Sequence, residues 1–337
     1  MMTFSDFSIT RLSPGFKGAL RLPLFASLGR ELEMPVMAVK GYAEGPTLLV
    51  TAGIHGDEFE GMAAIRSVFQ QLAPEKVFGS FIGLPVCNVL AYEHQTRESP
   101  PYADGLNLAR VFPGKSTGSY TERLAYSLFE FVTRNLNPET DVLLDFHSGG
   151  TKYEFVPLIA LHRNAPKRAE AEHLIRRFGI DRLWEIPVNP GTLNGAVSEY
   201  GITTIATETT GRGAAREEDI RQYVTGIHAV MHVLGMMEST DPAVNGKAIR
   251  TTVRQYFHTS GFFQSHVAIG DEVHSGQELG YVVNEEGERL ESVIAEESGA
   301  IWAVRAFCSV YMGDLAFLIG TLPRDLERAS DFREGGI

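Results

Sequence analysis

The chain has 337 residues, 44% hydrophobic and 21% charged, a balance that argues against a disordered or fibrous protein and allows a large α/β unit with an appendage. Its net charge of −12 and the lack of any basic run argue against a nucleic-acid partner, because phosphate binding needs clustered Lys and Arg. Two cysteines, Cys87 and Cys308, are too few and too far apart for a disulfide framework or a thiolate metal site, so a reducing, cytoplasmic location is expected.

The opening MMTFSDFSITRLSPGFKGALRLPLF has no unbroken apolar core between a basic start and a small-residue cleavage site. No later stretch approaches the roughly 18 consecutive apolar residues of a membrane span, so no membrane partner is expected. An N-terminal β extension is expected over about 1–44. From about residue 46 to 235, short β-rich runs alternate with helical patterns, the signature of a mixed or parallel sheet covered by helices. Thr47–Thr51 reads as a strand, Phe59–Leu72 as a helix and Phe78–Asn88 as the next strand. Tyr120–Leu136 is amphipathic and helical, Asp141–Phe146 is a buried strand ending at His147, and Val156–Leu161 is a further strand. A charged helix over 165–178, a β-branched strand Thr203–Thr207 running into Glu208, and a helix Glu217–Met236 complete a first domain over 1–245.

ESTDPAVNGK, at 238–247, is linker-like. Beyond it, GFFQSHVAIGDEVHSGQELGYVV and GAIWAVRAFCSVYMGDLAFLIG each place a Gly-Asp turn after an apolar run. Residues 246–337 are therefore expected as a small C-terminal all-β domain with a weak internal two-fold, resembling a barrel-sandwich hybrid of the biotinyl or lipoyl type. No lysine stands at its expected hairpin, which gives no support for a carrier role. Tyr256, Tyr281 and Tyr311 are candidates for a contribution from this region to the pocket.

The sharpest chemical signal is Gly53-Ile54-His55-Gly56-Asp57-Glu58-Phe59-Glu60-Gly61, just past a strand and opening a helix. Loops at the carboxyl ends of strands are where open α/β sheets hold ligands. A catalytic zinc takes three protein ligands from His and carboxylate and leaves one position free. His55 and Glu58 supply two, and His147, in Asp145-Phe146-His147-Ser148-Gly149-Gly150, supplies the third. Asp145 lies two residues earlier on the same strand face and is placed to accept the free ring N–H of a ligating histidine. His228 and His232, at i,i+4 on a helix, lack the Glu beside the first His that a metalloprotease helix needs, so they read as a packed or solvated helix face.

The sequence resembles the succinylglutamate desuccinylase/aspartoacylase family, relatives of the zinc carboxypeptidases. GIHGDEFEG, RESPPYADGLNLARVFPG, DFHSGG and TETTG occur in the family's order, over roughly residues 45–215. The resemblance implies a three-layer α/β/α mixed sheet of the zinc carboxypeptidase type with one Zn2+ per chain on His55, Glu58 and His147. It implies that Glu208 activates water at the metal, that Arg97 polarises the scissile carbonyl, and that Arg110 grips a substrate carboxylate, with Asn107 shaping the loop or touching substrate. Guanidinium suits both arginine tasks because it stays charged and binds oxygen pairs bidentately.

One departure stands out, since Ala109 replaces the asparagine that the family commonly carries before this arginine. The amino-acid half of the substrate is thereby left open, with either an unconventional substrate or another donor in its place. The expected activity is zinc-dependent hydrolysis of the amide bond of a small N-acyl amino acid or related compound. A zinc carboxypeptidase acting on peptides and a non-catalytic metal- or small-molecule-binding protein are the alternatives. The expected partner is a small-molecule N-acyl substrate, and a homo-oligomer is compatible with the sequence.

Overall fold

A computed structural model of the chain describes residues 2–27, 29–238 and 248–321. In chain order the strands and helices of the first part are β1 (Lys17–Ser27), β2 (Arg30–Lys40), β3 (Ala43–Thr51), α1 (Phe59–Gln71), β4 (Phe78–Leu84), α2 (Val89–His94), α3 (Tyr120–Asn135), β5 (Val142–Ser148), β6 (Tyr153–Phe155), β7 (Leu158–His162), α4 (Arg168–Ile175), β8 (Arg182–Ile186), α5 (Leu193–Glu199), β9 (Thr203–Thr209) and α6 (Glu217–Val233). The C-terminal strands are β10 (Ala248–Tyr256), β11 (Gly261–Ser265), β12 (Glu272–Val273), β13 (Glu278–Val283), β14 (Arg289–Ile294), β15 (Gly299–Arg305), β16 (Ser309–Val310) and β17 (Leu315–Thr321). Among the described residues, no helix is long and apolar enough to cross a membrane.

The sheet is mixed. β4, β3, β5 and β9 are successive parallel neighbours, with the antiparallel hairpin β1–β2 joined at β4 and antiparallel β7 joined at β9. Strands covered on both faces need apolar side chains pointing both ways, which is why TLLV and VLL are continuous apolar runs. Leu49 and Leu143 enter one core with α2, α3 and α5, whereas Leu48, Val50, Val142 and Leu144 enter the opposite core with α1, α4 and α6. Helices therefore cover both faces, giving the three-layer α/β/α arrangement.

Most expected strands and helices fall within a few residues of the observed ones. The strand expected to reach Asn88 stops at Leu84, because Pro85 cannot donate to a ladder and Asn88 instead caps α2 by accepting the Ala91 N–H. α5, seven residues long and capped by Thr192, is too short to show helical periodicity. The 165–178 helix shrinks to Arg168–Ile175.

The C-terminal strands continue the same sheet, since β10 pairs in parallel with β8 and antiparallel with β17, and β15 pairs with β6. A second, four-stranded antiparallel sheet runs β14-β13-β11-β16. The two Gly-Asp turns have the same local geometry. Asp271 Oδ2 accepts the Ala268 N–H at 2.8 Å and Asp314 Oδ2 accepts the Tyr311 N–H at 3.1 Å. Gly270 and Gly313 in these turns both have φ near +88°, a backbone that favours glycine. The expected linker lies outside the described residues from 239 to 247, as does the boundary at 245/246.

Behind the strand that carries His147, Phe146 stacks on Tyr223 at 4.1 Å between centroids and meets Phe178 edge-on at 6.3 Å. Tyr223 also donates its hydroxyl to the His147 carbonyl. Phe146→Ala is expected to destabilise the protein by about 3–5 kcal/mol through the cavity it leaves, readable as a lowered midpoint in denaturant melts.

Candidate active site

Two loops meet at the carboxyl ends of β3 and β5. After β3 the chain turns at Gly53, with φ of +66°, and Gly56 packs so close to α2 that a Cβ there would fall 2.0 Å from the Ala91 carbonyl carbon. That approach brings His55 inward and leaves Glu58 at the start of α1. Asp57 ties the loops together, its Oδ2 accepting both the backbone N–H and the hydroxyl of Thr151 at 2.8 Å. β5 and β9 are paired so that His147 lies directly opposite Glu208. Adjacent parallel strands in register project these two side chains from the same face.

His55, Glu58 and His147 each offer a ligand atom within 4.8 Å of the others. Glu58 Oε1 is 2.7 Å from His55 Nδ1, Glu58 Oε2 is 2.9 Å from His147 Nδ1, and the two Nδ1 atoms are 3.3 Å apart. Each imidazole is oriented from its far side. Asn107 Oδ1 is 3.2 Å from His55 Nε2 while also accepting the Ala109 N–H at 2.9 Å. Asp145 Oδ2 is 3.4 Å from His147 Nε2. Asp145 is itself held by the Thr51 hydroxyl at 2.7 Å and the Asn194 amide at 2.8 Å, and Asn194 in turn takes the His162 ring N–H at 2.8 Å. Asn107 thus sits against an imidazole and outside the cavity lining.

Arg97 donates to Glu58 Oε1 at 2.9 Å. His55, Arg97, Arg110, His147 and Glu208 all line one cavity of about 420 Å³. Burial would raise the Glu58 carboxyl, but the His55 and His147 rings hold it well below the usual carboxylate range. Glu208 goes the other way, pushed up to about 8 by burial and by the Glu58 charge, against the pull of His147 and Arg97. Its Oε2 is buried and has no hydrogen-bond partner among the described residues, so this carboxylate is not committed to holding the fold.

The sequence did not single out His162, Trp184, Asn194 or Arg254, which also line the cavity. Tyr256, Tyr281 and Tyr311 are not among the lining residues; the C-terminal strands contribute Arg254 instead. No local pattern marks Arg254, because its role depends on β10 pairing with β8 far away in sequence. A Gly-x-Ser-x-Gly spacing at Gly114–Gly118 falls in a surface turn before α3 with Ser116 exposed, not on the strand-to-helix elbow that a serine hydrolase uses.

Fold and site together define the class: an α/β/α protein of hydrolase architecture with a candidate metal cage at its strand ends. The model of the succinylglutamate desuccinylase/aspartoacylase catalytic domain matches residues 44–234, and the chain belongs to that family. It is 32% identical over 335 residues to an N-alpha-acetyl-L-2,4-diaminobutyric acid deacetylase of Halomonas elongata, covering 95% of each chain. Among solved structures it resembles the product-bound ectoine utilization protein EutE (DoeB) of Ruegeria pomeroyi, with a TM-score of 0.81 and 26% identity over 91% of this chain and 95% of that one. It also resembles a succinylglutamate desuccinylase/aspartoacylase of Rhodobacter sphaeroides, with a TM-score of 0.78 and 29% identity over 91% of this chain and 96% of that one.

Proposed function

We propose that the protein is a zinc-dependent deacylase that hydrolyses the amide bond of a small N-acyl amino acid. The observation that carries this reading is the meeting of His55, Glu58 and His147 within 4.8 Å directly across the strand ladder from an uncommitted Glu208. The donor set fits zinc. Tetrahedral bonds of about 2.0–2.1 Å set two nitrogen ligands roughly 3.3–3.4 Å apart, close to the 3.3 Å between the two Nδ1 atoms. Two ring nitrogens facing each other at that distance cannot both point protons into the gap, whereas a shared cation accepts both lone pairs.

His55 and His147 would bind through Nδ1, with their Nε2–H groups directed to Asn107 and Asp145, and Glu58 would bind through its carboxylate. When bound, zinc supplies Lewis acidity, polarising an amide carbonyl and acidifying water. Glu208 then holds the proton taken from the attacking water on its carboxylate and passes it to the leaving amine nitrogen, general base first and general acid second. Arg97, beside the cage, donates to the carbonyl oxygen as negative charge develops there. Arg110 holds the substrate carboxylate. The name of the Halomonas elongata relative makes N-α-acetyl-L-2,4-diaminobutyrate the first substrate to test.

Turnover of N-acyl amino acids by zinc-loaded protein, with short peptides inert, is the expected outcome of a release assay for free amine. Strong peptide cleavage with inert N-acyl amino acids would overturn the reading in favour of a carboxypeptidase. The far-side partners have their own test. Asp145→Asn is expected to weaken zinc binding about 10- to 100-fold, because it removes the charged acceptor that orients His147; competition with a chromogenic chelator measures this.

A further inference from the structure

The cavity carries more positive charge than the cage and the proton carrier account for. Arg97 is paired with Glu58, but Arg110 donates only to the neighbouring Ala109 carbonyl, at 2.7 Å. Arg254 makes no hydrogen bond or ion pair among the described residues, and its guanidinium lies 5.3 Å from the centre of the Trp184 ring. Among the lining residues, the one carboxylate is Glu208. Burial, together with the charges of Arg97 and Arg254, holds the Arg110 guanidinium below its ordinary value. Unpaired guanidinium groups sharing a partly desolvated space repel one another and favour an anion between them.

Arg254 is also placed by construction. β10 lies parallel to β8 with Arg250 opposite Trp184, and the Trp184 indole N–H donates to Thr252 Oγ1 at 2.8 Å. Side chains alternate along a strand, so Thr252 and Arg254 share a face. The indole that holds Thr252 therefore also supports the Arg254 guanidinium with its ring. Ala109, which lines the same cavity, has no side-chain donor to offer.

We propose that Arg254 is a specificity-determining residue that forms, with Arg110, a two-guanidinium clamp for the carboxylate on the amine half of the substrate. The inference rests on the reading of the site as an N-acyl amino acid deacylase. It gives β10 a role in substrate choice, and it explains how a catalytic cavity depends on a strand that also carries the C-terminal sheets.

The test compares wild type, Arg254→Gln and Arg254→Lys on N-α-acetyl-L-2,4-diaminobutyrate and on the corresponding α-carboxamide, using zinc-loaded protein. On the carboxylate, Arg254→Gln is expected to raise KM about 10- to 100-fold, with kcat falling far less than KM rises. Arg254→Lys recovers part of the loss, since it keeps the charge but not the fork. On the carboxamide, the penalty for Arg254→Gln shrinks severalfold or more. Equal penalties on both substrates, or an unaltered KM on the carboxylate, would overturn the clamp while leaving the deacylase reading intact. If wild type hydrolyses neither compound, this substrate is excluded, the deacylase reading is decided by the wider panel of N-acyl amino acids, and calorimetry with N-α-acetyl-L-2,4-diaminobutyrate decides the clamp. Binding weakened tenfold or more in Arg254→Gln supports it; equal affinities, or no binding by wild type, overturn it.

Discussion

Replacing Glu208 with Gln is expected to lower kcat about 10²- to 10⁴-fold, the span that a positioned proton carrier contributes, while zinc content stays at the wild-type level. Glutamine keeps the size and the hydrogen-bonding shape of the side chain but cannot take up and release a proton. Glu208 stands opposite His147 in the strand ladder and is not one of the three cage residues, so the metal should remain. Its buried Oε2 has no partner among the described residues, so the substitution breaks no hydrogen bond at that atom. Circular dichroism and metal analysis alongside steady-state kinetics separate the outcomes. Full activity in Glu208→Gln would place proton transfer elsewhere, and loss of zinc would make the residue a structural support of the cage.

The cage itself predicts a loss of comparable size that comes with loss of the metal. Glu58→Ala removes the group that both imidazoles approach, at 2.7 and 2.9 Å, and leaves two Nδ1 atoms facing each other at 3.3 Å. Zinc content is expected to fall to background. The several kcal/mol that Lewis-acid stabilisation contributes should disappear with it, a loss of about a thousandfold or more in kcat/KM. Chelation of wild type should have the same effect and should be reversed by zinc, whereas Glu58→Ala should not be rescued at stoichiometric metal. Chelation should also lower Tm, since a ligand that binds only the folded state stabilises it by mass action. Hydrolysis that survives exhaustive chelation would refute the metal site.

Much of the catalytic sheet was legible from residue patterns because its strands are buried on both faces and its longer helices carry one apolar stripe. TLLVT, DVLLDF and the 120–136 helix announce themselves locally, for their burial demands an apolar composition that no loop would have. HGDE and DFHSGG were legible for a different reason: glycines, histidine and carboxylate concentrate where a strand ends, and a metal cage requires that chemistry. α5 and β8 went unread: α5, with seven residues, spans too few turns for a helical period to emerge, and the five residues of β8, RLWEI, lack the continuous apolar run that marks β3 and β5.

The sequence by itself determined the alternation of strands and helices and offered the three candidate ligands in two short motifs, GIHGDEFEG and DFHSGG, because each is a local pattern; Glu208 as candidate proton carrier came from the family resemblance that TETTG helps to carry. Only the tertiary structure decided that His147 and Glu208 stand in register, that Asn107 backs His55 at 3.2 Å, and that Arg254 reaches the cavity of Arg110. These relations depend on which strands pair and in what register, and pairing is set by burial of whole faces summed over the molecule. The continuation of the catalytic sheet into the C-terminal strands has the same origin. β8 presents a backbone edge whose N–H and C=O groups need partners, and β10 satisfies them from across a segment whose composition shows only that the chain turns there.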